Sequence, residues 1–229
     1  MQKIGNSGAA SRAAAVLALL LALGCTSGAS AFNWGSQQGS GVEKSETRSL
    51  GSFSRIKTSG ATVLHVTAGQ SSTVVTVSCD DNILPLVLTE VRGDTLYIWT
   101  DANVSTRLPL RVTIAMPKLA GIQGSGSSRI DAVNVAGEHF ELHGSGNTTA
   151  TVAGSVDALS IHLSGSGQVD ASALAAKDAD IHGSGSSSVE VNVKDKLAVR
   201  LSGSGIVSYL GNPEISQTVS GSGKVVAAR

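Results

Sequence analysis

The chain has 229 residues, 41% of them hydrophobic and 15% charged, with 27 glycines and only 3% aromatics. That is enough apolar material for a core built from Val, Ile, Leu and Ala, and too little charge for a disordered polyelectrolyte. Seventeen basic side chains balance 17 acidic ones, which argues against nucleic acid or an anionic membrane surface as an electrostatic partner.

Lys3 and Arg12 precede "AAAVLALLLAL" (Ala13 to Leu23), an apolar run of signal-peptide length that is too short to span a bilayer. Residues 1–31 are therefore expected to export the chain, with two exits. Cleavage before Cys25, in "LALGC", resembles lipobox processing and predicts lipidation of Cys25, giving an outer-membrane or periplasmic lipoprotein. Cleavage after Ala31, in "ASA", gives a soluble secreted or periplasmic protein instead. Loss of Lys3 and Arg12 leaves 15 bases against 17 acids, a net charge of −2. With Cys25 acylated or removed, Cys79 is left without a partner, so no disulfide framework is expected, and a buried inert thiol is the reading there. Residues 32–50, rich in Gly, Ser and Gln, read as a flexible tether, and 51–229 as the folded domain.

Strand patterning starts at "IKTSGATVL" (Ile56 to Leu64), which bends at Ser59-Gly60. It continues through "STVVTVS", "LPLVLTEV", "TLYIWT" and "LPLRVTIAM". The "RGD" at Arg92 to Asp94 reads as a turn between two of these strands. From Ile122 onward a repeat takes over. Ile122, Leu142, Ile161, Ile181, Val199 and Gln217 each precede Ile130, Ala150, Val169, Val189, Val207 and Val225 by eight positions. In that register Ser125, Ser145, Ser164, Ser184, Ser202 and Ser220 form one column. Gly126, Gly146, Gly165, Gly185, Gly203 and Gly221 form the next.

Apolar residues alternate with polar ones on either side of every Ser-Gly pair, which is strand patterning with a bend in the middle. A unit of 18–20 residues repeating in this way predicts an all-β solenoid, a single-stranded parallel β-helix with one coil per unit. The glycine supplies a backbone conformation that a Cβ disfavours and lets coils lie close. The flanking serines are expected to hydrogen-bond to neighbouring backbone and to one another up the stack. A linker would lack the apolar columns, a phosphate loop would carry a lysine opening a helix, and a calcium repeat would carry a column of Asp.

Three stretches together resemble the head GIN domain family of putative auto-transporter adhesins over roughly residues 50 to 225. They are the Phe53-x-x-Ile56 start, "DDNILP" and "MPKLAGIQGSGS". The resemblance implies a right-handed β-helix of pectate-lyase-like architecture on exported, often lipid-anchored bacterial proteins. It implies a non-catalytic, adhesin-like role with an unknown surface ligand, glycan or protein, and the membrane reached only through a lipid anchor. An auto-transporter also carries a C-terminal membrane barrel. The given sequence stops at Arg229 straight after a coil, so self-translocation is not expected of it.

Catalytic residues, cofactors and metals are not expected. The outward acids Asp131, Asp170 and Glu190 are interrupted by Thr151 and Ser208 and read as a solvated face. The sharper candidate is the column Gln123, His143, His162, His182, Arg200, Thr218, where three histidines stack on consecutive rungs near Glu141 and Asp180. Such a ladder reads as a flat polar face, with a pH-sensitive strip or a metal site as the alternatives. An uncapped final coil predicts either fraying or a weak end-to-end homodimer. A structural or signalling lipoprotein and a carbohydrate-active enzyme are the competing functional readings.

Overall fold

A computed structural model describes residues 36–101 and 103–228; Cys25 and both leader cleavage sites lie outside them. The first nine strands are short: β1 (Gln37–Gln38), β2 (Glu43–Arg48), β3 (Arg55–Gly60), β4 (Thr62–Thr67), β5 (Val74–Asp80), β6 (Val87–Arg92), β7 (Thr95–Thr100), β8 (Val104–Ser105) and β9 (Leu110–Ala115). Then come β10 (Gly121–Gly126), β11 (Arg129–Gly146), β12 (Thr149–Gly165), β13 (Gln168–Gly185) and β14 (Ser188–Gly203). The series closes with β15 (Ile206–Leu210), β16 (Glu214–Gly221) and β17 (Lys224–Ala227).

Strands β11 to β14 each run 16–18 residues, too long for a flat strand of a small sheet. Each bends round a coil and pairs in parallel with the next, with register shifts where the count per coil changes. The result is a β-solenoid of about five turns. Its register follows the apolar columns. Ile56, Ile122, Leu142, Ile161, Ile181, Val199 and Gln217 are successive partners, and so are Leu64, Ile130, Ala150, Val169, Val189, Val207 and Val225. From Ile56 to Val199 in the first column, and from Leu64 to Val207 in the second, these side chains are buried. Each full burial of a Val, Leu or Ile contributes about 1.5–3 kcal/mol.

At the corner the six repeat glycines hold φ between +83° and +115°, the region that favours glycine. A Cβ on any of them would sit 2.5–2.9 Å from the carbonyl oxygen of the glycine one rung earlier. That oxygen accepts the N–H of the residue after the glycine, as in Asn147 N to Gly126 O (2.8 Å) and Ser166 N to Gly146 O (2.9 Å). Among the corner serines only Ser125 has a hydroxyl partner, Thr58 O at 3.3 Å, so the expected serine ladder does not form. Rungs about 4.8 Å apart exceed the reach of one hydroxyl to the next.

Inside the corner, volumes are complementary four residues apart. Gly124, Gly144 and Gly183 face Ser128, Thr148 and Ser187, whereas Leu163 and Leu201 face Gly167 and Gly205. A Cβ on Gly144 would meet Leu163 Cδ2 at 2.7 Å, so each leucine also fills the space left by the glycine of the preceding rung. This packing explains why some corners read GSG and others LSG.

The N-terminal end departs from the parallel pattern. β6 pairs antiparallel with β7, and Gly93-Asp94 form the turn between them, Gly93 at φ +63°. β5 is antiparallel to both β9 and β2. Residues 43–48, expected within a flexible tether, are therefore an edge strand. Its sequence, EKSETR, has no apolar alternation because nearly every residue is exposed, and backbone pairing holds it. Asp80 secures the approach by accepting N–H bonds from Gly41 (2.7 Å), Arg107 (3.0 Å) and Leu108 (3.1 Å). Burial alone would raise its pKa, but these bonds outweigh it and hold the carboxylate below its ordinary range. A charged edge of this kind blocks further strand addition. At the other end β16 is exposed along its length, including Ile215 and Val219.

Candidate functional site

The column one residue past the first apolar column points outward on every rung. In register it reads Tyr97, Lys57, Gln123, His143, His162, His182, Arg200 and Thr218. Two residues earlier on each rung runs a second outward column: Thr95, Arg55, Gly121, Glu141, Ser160, Asp180, Ala198 and Ser216. The corner serines form a third. Between the histidines and the serines lies a groove of about 500 Å³ that runs from Gln123 to Thr218. A second groove of about 380 Å³ shares Gln123 and His143 with it and continues past Arg55 and Lys57 to Tyr97. Lys57, Arg92, Tyr97 and Trp99 line a further recess of about 130 Å³.

Rung geometry dictates the histidine stack. The His143 and His162 rings lie 4.7 Å apart at 4°, and those of His162 and His182 lie 4.7 Å apart at 15°. Each ring bonds the residue two positions before it. His143 Nε2 donates to Glu141 Oε1 at 2.6 Å, since an ionised carboxylate can only accept. His162 Nε2 lies 3.1 Å from Ser160 Oγ. His182 Nε2 sits 3.0 Å from Asp180 Oδ1 and 2.8 Å from Arg200 Nη1, so it can donate to the first or accept from the second. Arg55 crosses over Gly121 to donate to Glu141 Oε2 at 2.7 Å; a side chain at 121 would crowd its guanidinium.

These contacts set the electrostatics. The Arg55 bond, with help from His143, pulls the Glu141 carboxyl down to about 2. Desolvation, then the flanking His143 and His182, lowers the pKa of His162, so the central ring prefers to be neutral. Parallel rings aim their nitrogens along parallel lines rather than at one point. Among the described residues no group of three or more His, Cys, Asp or Glu is placed to share a metal ion. Ser160 and His162 lie on adjacent outward positions of a regular strand, and no strained turn raises the hydroxyl as a nucleophile. Asp131 instead pairs with His65 (3.2 Å) on a different face.

The family model described as putative auto-transporter adhesin, head GIN domain, matches residues 52–213. The chain belongs to this family. Among solved structures, a putative adhesin of Bacteroides fragilis NCTC 9343 has a TM-score of 0.66 at 20% identity, over 83% of this chain and 99% of that one. A putative adhesin of Parabacteroides distasonis ATCC 8503 gives 0.56 at 21% identity, over 85% and 100%. One from Parabacteroides merdae ATCC 43184 gives 0.53 at 17%, over 84% and 98%. At these identities the shared property is the fold. No curated protein matches the sequence.

Within this GIN domain, sequence reasoning located the histidines but not Lys57 and Tyr97. Lys57 was findable, since it follows Ile56 as His143 follows Leu142. Tyr97 was not, because β7 carries no Ser-Gly corner to fix its register.

Proposed function

We propose that this is an exported, non-catalytic, adhesin-like protein that binds glycan or protein at a cell surface through its histidine face. The observation that carries the reading is the continuous outward column from Tyr97 to Thr218 with grooves along it. Membership of the adhesin family supports an exported or surface location. Among the described residues no helix is long and apolar enough to cross a membrane, and lipidation at Cys25 would anchor the domain.

A glycoside hydrolase needs a carboxyl whose pKa is raised so that it can act as a general acid. In the groove the opposite holds, with Glu141 pulled down to about 2 by Arg55 and His143. That argues against Glu141 as the general acid of a hydrolase. The test is attachment of the full-length protein to intact bacterial or host cells. Ser145→Arg/Ser184→Arg places two bulky side chains at exposed positions of the groove, and Thr151→Arg on another face is the control. Loss of attachment in the first variant alone is expected; equal attachment of all three proteins would refute the reading.

A further inference from the structure

We infer that the occupant of the histidine face is an uncharged linear polysaccharide lying along the solenoid axis; this rests on the binding role proposed above. Three observations point to that chemistry.

The first is the charge balance. Arg55 pairs with Glu141 (2.7 Å) and Asp94 (3.6 Å), Arg92 with Glu90 (2.6 Å), and Arg200 with Asp180 (3.4 Å). Among the described residues, Lys57 is the one cation of the face without a carboxylate in ion-pair range. A polyanion would have to strip these pairs apart, whereas an uncharged chain need not.

The second is the polar repeat. Every sugar hydroxyl both donates and accepts hydrogen bonds, so a polyhydroxyl chain needs both functions at each step. Neighbouring outward columns supply them together: Glu141 with His143, Ser160 with His162, Asp180 with His182 and Arg200. The stacked rings repeat every 4.7 Å, and a linear chain presents its hydroxyls at similarly regular intervals. At one end Tyr97 and Trp99 add half-exposed rings, in a chain that has only three Phe, two Tyr and two Trp. Arg92 lies over both rings (5.2 and 5.6 Å to their centroids) and Lys57 over Tyr97 (5.8 Å), so the apolar face of a sugar would share these rings with the two cations.

The third is that, among the described residues, no free backbone edge lies along the face between β7 and β14; the face ends on β16, which pairs with β14 alone. β7, β3, β10, β11, β12, β13 and β14 are each paired on both sides there. Between these strands a peptide therefore cannot add as a strand, the mode that gives extended peptides their main-chain affinity.

The experiment is binding of full-length protein in mild detergent to soluble linear polysaccharides. The uncharged set is mannan, xylan and mixed-linkage glucan; the charged set is polygalacturonate, alginate and dextran sulfate. Preferential binding of at least one uncharged chain is expected. It should change less than about twofold when salt is raised to ~1 M, where the Debye length is about 3 Å. Tyr97→Ala should weaken it about three- to tenfold, and Ser145→Arg/Ser184→Arg should abolish it. Preference for polyanions with loss at high salt would overturn the inference while leaving the face as a binding surface. Cell attachment that depends on the face but with no polysaccharide bound would do the same and point to a protein ligand. Polysaccharide binding undiminished in both variants would overturn the placement. Failure to bind either cells or polysaccharides would overturn both readings.

Discussion

Gly60 and Gly146 occupy the same corner column, at φ +87° and +83°, so alanine at either meets the same backbone penalty. Their surroundings differ. A Cβ at 60 would meet nothing within 4 Å, whereas one at 146 would lie 2.7 Å from Gly126 O. Placing an L-residue in the left-handed region costs about 1–2 kcal/mol, and that is the whole expected effect of Gly60→Ala. Gly146→Ala adds the cost of moving a rung that is paired on both sides, about 1–3 kcal/mol by analogy with overpacked cores. For a domain of this size each kcal/mol lowers Tm by about 2–4 °C, so the two variants should differ by at least ~2 °C. Differential scanning calorimetry at one pH and scan rate is the assay. Equal melting temperatures would refute the assignment of the corner glycines to close coil approach, leaving only their backbone conformation.

Complementary corner volumes predict that Leu163→Gly is strongly destabilising, and that Leu163→Gly/Gly167→Ser, which copies the Gly124/Ser128 corner, recovers part of the loss. A coupling of about 0.5–3 kcal/mol in urea unfolding is expected, and strict additivity would contradict the pairing. Glu141 has a folded pKa of about 2, below its ordinary 4.5. Its stabilising contribution is therefore full above pH ~4.5 and is lost as pH falls towards 2, and Glu141→Gln should flatten that part of the stability profile. His162 is also lowered, so the unfolded chain binds its proton first and stability declines as pH drops below 6.5. His162→Gln should remove that decline, as followed by Tm against pH. Cys25→Ala should release the domain from the membrane fraction; mass spectrometry that finds Phe32 as the wild-type N-terminus would show ordinary cleavage instead.

The solenoid was legible because inward columns must be apolar on every rung, so the spacing of Ile122, Leu142, Ile161, Ile181 and Val199 carries the register. The histidine ladder followed from that register alone. Edge strand β2 was illegible because a strand exposed on both faces has no pattern to keep; its partners are backbone groups of β5, and the loop before it is held by Asp80. The Arg55–Glu141 bond joins residues 86 apart in sequence. It depends on β3 sitting beside β10, an order that places the chain between them elsewhere and that local spacing does not encode. The Gly/Leu alternation under the corner was visible as GSG and LSG, but only the packing shows that residues four apart share one volume.

Ligand binding at the histidine face can be seen residue by residue. The most direct measurement is chemical-shift mapping of the isotope-labelled protein titrated with an oligomer of the uncharged polysaccharide that binds. Perturbations are expected to concentrate at Tyr97, Gln123, His143, His162, His182 and Arg200, with Asp131, Thr151 and Asp170 unmoved. Perturbations centred on those last three residues would contradict binding at the histidine face.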